Sequence, residues 1–240
     1  MISPRHLQLK EIHTLHEEGI KGGIWADETR VGTAIDNSRW IIKYGTSEQS
    51  DEVVAYQLAQ KFFDGVVPET HLIELEGLLA SAQRMVTGKS AHDLEAEGTL
   101  YAAVRQPLVI PDLANMVIMD FMIGNPDRHG NNWFVMNNGR IAAIDNGFAA
   151  NELDMPITRA LRPVYKCLMD DDCARTPTLI ASMHSIMGRL EGKELEAEQI
   201  VFDYSISPQH MFMGRWQPRV EELRKRLNQW SRELDAHCSS

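Results

Sequence analysis

The stretch 122-MIGNPDRHGNNWFV-135 sets a short polar loop between an apolar segment and a run of β character. The loop gathers Asp127, Arg128, His129, Asn131 and Asn132. Taken singly, "NPD" and the later "NNG" are ordinary turn strings, because Asp and Asn side chains bond nearby backbone. The order of residues around the loop is what departs from a plain turn. Asp127 and Asn132 are separated by four residues, and Asp145, in "IDNG", follows thirteen positions after Asn132 at the end of a predicted hairpin strand. An amide oxygen and a carboxylate are hard ligands of the kind Mg²⁺ prefers. A further carboxylate placed beside a hydroxyl can orient it and take its proton.

The amino-terminal half supplies partners of a matching type. Lys43 ends the strand "RWIIK", from which a lysine can reach phosphates. Glu52 lies on the next predicted helix and can orient that lysine through an ion pair, with Asp51 the less suited neighbour. "KGGIWADETRVGTA" (21–34) holds Gly22, Gly23 and Gly32, where backbone N–H groups could approach phosphates, but it lacks a G-x-G-x-x-G spacing.

The pattern along the chain predicts two lobes. Residues 5–18 read as a short helix ending at Gly19. "GGIWAD", "RVGTAID" and "RWIIKY" read as antiparallel strands separated by turn residues. In "TSEQSDEVVAYQLAQKFF", Ser50 is the expected N-cap, and Val54, Ala55, Leu58, Ala59 and Phe62 form an apolar stripe. "THLIELEG" and "LLASAQRMV" are two more strands. "TGKSAHDLEAEG" (87–98) reads as a polar, flexible connection. Beyond it, "PDLANMVIMDFMIG" has Pro near a helix start and Gly at its end, and "WFVMNNGRIAAID" reads as a hairpin. Helical patterns follow at roughly 154–169, 177–190, 193–205 and 215–236. The expected fold class is α+β, a small antiparallel-sheet lobe with one helix (1–87) before a larger helical lobe (88–240), together one domain.

Here a resemblance becomes specific. Asp127-x-x-x-x-Asn132 followed by Asp145-Asn146-Gly147 matches the kinase template Asp-x-x-x-x-Asn with Asp-Phe-Gly, Asn146 replacing the Phe. "GNPDRHGNNWFV" with "IAAIDNG" resembles the phosphoinositide 3-/4-kinase branch of the protein-kinase-like superfamily. Type II phosphatidylinositol 4-kinases, the actin-fragmin kinase, Fam20 kinases and HipA-type kinases carry similar loops. The resemblance implies a bilobal kinase fold, ATP, and Mg²⁺ (or Mn²⁺). It makes Asp127 the catalytic carboxylate, Asn132 and Asp145 the metal ligands, and Lys43 with Glu52 the phosphate clamp. His129 would assist proton transfer or stabilise charge, Arg128 would brace the catalytic loop, and Asp120 would anchor it from the preceding helix. By analogy the adenine edge would lie along Gln83 to Val86, "QRMV", with Met85 and Val86 in the connection between the lobes.

Composition narrows the partners. With 24 Lys and Arg against 34 Asp and Glu, the net charge of −10 argues against a nucleic-acid-binding surface and weakly against docking on an anionic membrane. No apolar run reaches the length of a membrane span, and the start lacks the apolar segment of a secretory leader. Three scattered cysteines suggest neither a disulfide framework nor a zinc site, so a reduced, cytoplasmic setting is expected. The expected activity is an ATP- and Mg-dependent kinase acting on a protein Ser/Thr hydroxyl. The alternatives are a lipid or small molecule as acceptor, a pseudokinase or nucleotide-binding regulatory module, and AMP transfer. A metal phosphoesterase is a further one, since "GNPD" looks like the Gly-Asn-x-Asp element of the calcineurin-like phosphatases. Those also need an upstream Asp-x-His, which is absent.

Overall fold

The computed structural model describes residues 9–14, 28–44, 48–75, 77–125, 127–146, 176–204 and 216–238. A five-stranded antiparallel sheet is built from β1 (Leu9–Thr14), β2 (Glu28–Ala34), β3 (Arg39–Tyr44), β4 (Thr70–Leu75) and β5 (Leu78–Arg84), in the order β1-β2-β3-β5-β4. Helix α1 (Glu48–Phe62) connects β3 to β4. Strand alternation gives the sheet two faces. One holds Trp40, Ile42, Tyr44, Ile73, Ala80 and Ala82 in a small apolar cluster. The other presents Lys43 and Ser81 to α1.

The larger lobe contains a three-stranded sheet, β6 (Gly88–Ser90), β7 (Trp133–Met136) and β8 (Ile141–Ala143). Around it lie α2 (Ala91–Ala96), α3 (Leu100–Val104), α4 (Val109–Ile123), α5 (Thr176–Leu190), α6 (Glu194–Tyr204) and α7 (Trp216–Cys238). The fold is thus α+β and bilobal. Helix α4 is its axis, and every residue of α4 except Pro111 is buried. It ends where Gly124 takes the left-handed conformation (φ 70°) and its N–H returns to Asp120 O. No helix among the described residues is long and apolar enough to cross a membrane.

Three expectations change. Residues 9–14 form an edge strand with a bulge near Leu9 and Glu11, not a helix. An isolated helix of that length is marginal in water, whereas the free edge of β2 satisfies the backbone at once. Helix α1 begins at Glu48, so Ser50 is a buried residue inside its first turn and not the N-cap. Residues 88–96 form β6 and α2, not a flexible connector. Ser90 caps α2 by accepting from Asp93 N at 3.0 Å, and a Cβ on Gly88 would meet Val135 O at 2.3 Å. "GGIWAD" and the helix expected at 154–169 lie outside the described residues, while the other carboxy-terminal helices fall within a few residues of their expected bounds.

Helix α1 belongs to the main core. Its Val54, Leu58 and Phe62 join one apolar cluster with residues of α4, α5, α6 and α7, and Phe62 packs on Trp216 with ring centroids 5.5 Å apart. Just past α1, Asp64 accepts from Arg189 of α5 (2.9 and 3.1 Å) and from Asn115 of α4 (3.0 Å), while its own carbonyl accepts from Arg140. The Arg189 hydrogen bonds, with Asn115, hold the Asp64 carboxyl below the ordinary carboxylate range although partial burial opposes this. A depressed pKa contributes stability that is present above the unfolded value and is lost as pH falls through the folded one. Asp64→Asn is therefore expected to destabilise by under about 1 kcal/mol at neutral pH, given that the pair is half exposed. The difference from wild type should vanish in urea melts carried out below the carboxylate range.

Candidate active site

The site forms where the two lobes meet. Lys43 Nζ donates to Glu52 Oε1 at 2.5 Å and to Asp145 Oδ1 at 2.8 Å. Glu52 is buried on α1, and its second oxygen accepts from Ser81 Oγ on β5 at 3.2 Å. Glu52, not Asp51, is thus the partner of the strand lysine. Burial favours the neutral amine, but the Glu52 and Asp145 carboxylates outweigh it and push the Lys43 pKa above the usual lysine range. The lysine is a fixed cation at the mouth between the lobes.

The loop after α4 is built around Arg128, which is 5% exposed. Its Nε and Nη2 grip the two oxygens of Asp120, both at 2.9 Å. Nη1 donates to Asn132 O and Ile144 O, each at 2.5 Å, and Nη2 also donates to Asn146 Oδ1 at 2.5 Å. All five guanidinium donors are engaged within the protein. Burial raises the Asp120 pKa, and the Arg128 guanidinium pulls against it. Arg128 therefore touches backbone and buried polar groups, the contacts of a brace.

Asp127 lies on the outer side of this brace with its side chain 63% exposed. Its N–H donates to Asn125 Oδ1 at 2.9 Å, a side-chain-to-backbone bond of the kind Asn makes two residues on. His129 is half exposed, and its Nε2 stands 3.9 Å from Asp127 Oδ2. Its Nδ1 accepts from Asn131 N at 3.2 Å, which leaves the ring proton of the neutral form on Nε2, facing Asp127.

Asn132 and Asp145 are brought side by side through the backbone, where Ile144 N donates to Asn132 O at 3.0 Å. Asn132 Nδ2 donates to Asp127 O at 2.9 Å, which reserves the amide oxygen for another partner. Asp145 is in the left-handed region (φ 56°), an uncommon conformation for a residue other than glycine and one associated with functional sites. No group of three or more His, Cys, Asp or Glu among the described residues forms a metal cage. An amide plus a carboxylate is the partial shell that Mg²⁺ completes with phosphate oxygens and water, so the donor set fits that ion.

Along Gln83 to Val86 the expected adenine edge divides. The Gln83 side chain is buried and donates to Thr70 Oγ1 at 3.1 Å, and Met85 N donates to Arg39 O at 2.8 Å. Val86 N has no protein partner among the described residues. Gly22 and Gly23 lie outside the described residues, and Gly32 is an ordinary strand position opposite Trp40.

Several residues of the site were not read from the sequence. Asn125 and Asn146 orient the loop and the Asp145 turn. Arg219, buried on α7, donates to Phe121 O (3.1 Å) and Met122 O (2.5 Å), capping the last turn of α4. Asn125 carried a usable signal, since Asn-Pro-Asp is turn chemistry. Arg219 carried none.

The family model for phosphatidylinositol 3- and 4-kinase matches residues 90–188, a segment holding the Asp127 loop and Asp145. Over that segment the chain is similar to the phosphoinositide 3-/4-kinase family. Among solved structures it is similar to a Helicobacter pylori proinflammatory kinase, CtkA, at 14% identity and a TM-score of 0.55, over 90% of this chain and 91% of that one. No curated protein sequence matches it. Arg128→Lys leaves too few donors for its buried partners and should cost about 3 kcal/mol or more. Asn146→Ala should cost about 2 kcal/mol, since it removes the acceptor of Arg128 and the donor to Ala143 O. Chemical denaturation of both variants checks the ranking.

Proposed function

We propose that this kinase transfers the γ-phosphoryl group of ATP to a protein Ser or Thr hydroxyl, with Mg²⁺ (or Mn²⁺) as cofactor. The observation that carries the reading is Lys43 Nζ joining Glu52 of α1 to Asp145 of the larger lobe. It sets a phosphate-binding cation beside a metal-binding carboxylate. Asn132 and Asp145 would hold the metal, which supplies charge neutralisation on the phosphates. Val31 and Ile41 pair directly across β2 and β3 on the face that carries Lys43. Val31 is buried yet belongs to neither apolar cluster, which suits it to cover an adenine ring whose edge meets Val86 N.

The reaction needs one proton acceptor. Asp127 takes the proton of the acceptor hydroxyl as its oxygen bonds to the γ-phosphorus, and the bond from that phosphorus to the β-phosphate oxygen breaks to release ADP. His129, with Nε2 facing Asp127, stabilises the charge that develops there. Arg128 is a positioning residue in this scheme. The choice of a protein acceptor rests on the net charge of −10 and the absence of a polybasic segment in the sequence, and it goes with a cytoplasmic setting.

The test is turnover of γ-labelled ATP with Mg²⁺, offered a mixed protein acceptor and, separately, phosphatidylinositol vesicles. Label is expected in protein, with a gain of about 80 Da per event. Label in the lipid extract would move the acceptor class, and an AMP-sized gain would replace phosphoryl with adenylyl transfer. Asp145→Ala should abolish turnover. Asp127→Ala should cut it by about a hundredfold or more while ATP affinity stays at the wild-type value.

A further inference from the structure

We propose that the Thr29 hydroxyl is a phosphate-binding group of the nucleotide site, a role that rests on the reading of this chain as an ATP-binding kinase. Thr29 stands directly opposite Lys43 in the β2–β3 ladder. Paired residues of an antiparallel sheet project from the same face, with Cα atoms about 4.5–5.5 Å apart. Thr29 therefore shares the face from which Lys43 reaches Glu52 and Asp145.

The hydroxyl has no structural use. Thr29 is 9% exposed, and its Oγ1 is buried with no hydrogen-bond partner. An unpaired buried hydroxyl is destabilising, and a strand accepts Val at such a position as readily as Thr. Val31, two residues on and on the same face, shows that it does. The other buried polar side chains on this face are spoken for, Ser81 by Glu52 and Gln83 by Thr70.

A phosphate drawn to the Lys43 ammonium comes within one strand spacing of this hydroxyl. There Oγ1 donates to an anionic oxygen, a charge-assisted bond stronger than one between neutral groups. The sequence has no G-x-G-x-x-G spacing to present a row of backbone N–H groups. A side-chain donor fixed in β2, beside the lysine, supplies part of that function.

Two variants of the full chain test it, Thr29→Val and Thr29→Ser. Calorimetry measures affinity for Mg²⁺ with a non-hydrolysable ATP analogue and, separately, for adenosine, and thermal melts are taken without nucleotide. Thr29→Val is expected to melt at or above the wild-type temperature, bind the ATP analogue about tenfold more weakly and bind adenosine unchanged. Thr29→Ser keeps the hydroxyl and should restore analogue binding to within about threefold of wild type. Wild-type affinity for the analogue in Thr29→Val overturns the proposal. So does failure of that isosteric variant to fold, or an equal loss for adenosine, because either gives the hydroxyl a structural role. A wild-type protein that binds neither ligand removes the nucleotide reading itself, and the Thr29 assignment with it.

Discussion

Arg128 spends its five N–H groups on four partners from three parts of the chain, and the site depends on that bond set. A guanidinium cannot be buried without compensation, and here the Asp120 carboxylate beneath it meets it through two parallel hydrogen bonds. The remaining donors hold the backbone at Asn132 and Ile144 and the side chain of Asn146. The residues held are Asn132 itself and the two that flank Asp145. Asp127 and His129 are thereby left exposed, and the buried groups fix where they stand. Asn146 in place of an aromatic residue makes sense in this frame, because a Phe side chain offers Arg128 no acceptor.

The same logic runs through α4. A helix buried on nearly all sides carries Asp112, Asn115 and Asp120, three polar residues that would be costly in an apolar core without partners. Asp112 accepts from Arg140 and from Ile141 N, so it sets the start of β8. Asn115 reaches Asp64 beyond α1, and Asp120 holds Arg128. One helix thus fixes the hairpin, the end of α1 and the Asp127 loop relative to one another.

What the sequence made legible was the chemistry whose residues are close along the chain. Asp127, Asn132 and Asp145 fall within one stretch, and Lys43 and Glu52 flank one strand–helix junction, so their spacing could be matched to the kinase template, and the resemblance implied their roles. The hairpin and α4 were legible because Gly and Pro mark their ends. Contacts that cross the fold were not. The helix expected at 5–18 became β1 because the open edge of β2, a tertiary partner, outweighed local periodicity. Segment 87–98 looked flexible because it is polar, yet backbone pairing of β6 with β7 orders it. Nothing in local pattern marks Arg219 as the cap of a helix some hundred residues earlier, nor Thr29 as a hydroxyl without a partner.

The seating of α1 in the core of the larger lobe bears on when the site comes into being during synthesis. The helix that carries Glu52 closes against Trp216, and the loop that carries Asp127 leaves a helix end capped by Arg219. Both supports come from α7. A nascent chain halted before α7 emerges has Lys43, Glu52, Asp127, Asn132 and Asp145 already made and neither support in place. The amino-terminal strands can pair early, since their partners are near in sequence, but the packing of α1 on Trp216 waits on α7. The contacts that seat Glu52 and the Asp127 loop are in this sense completed only once α7 has been made.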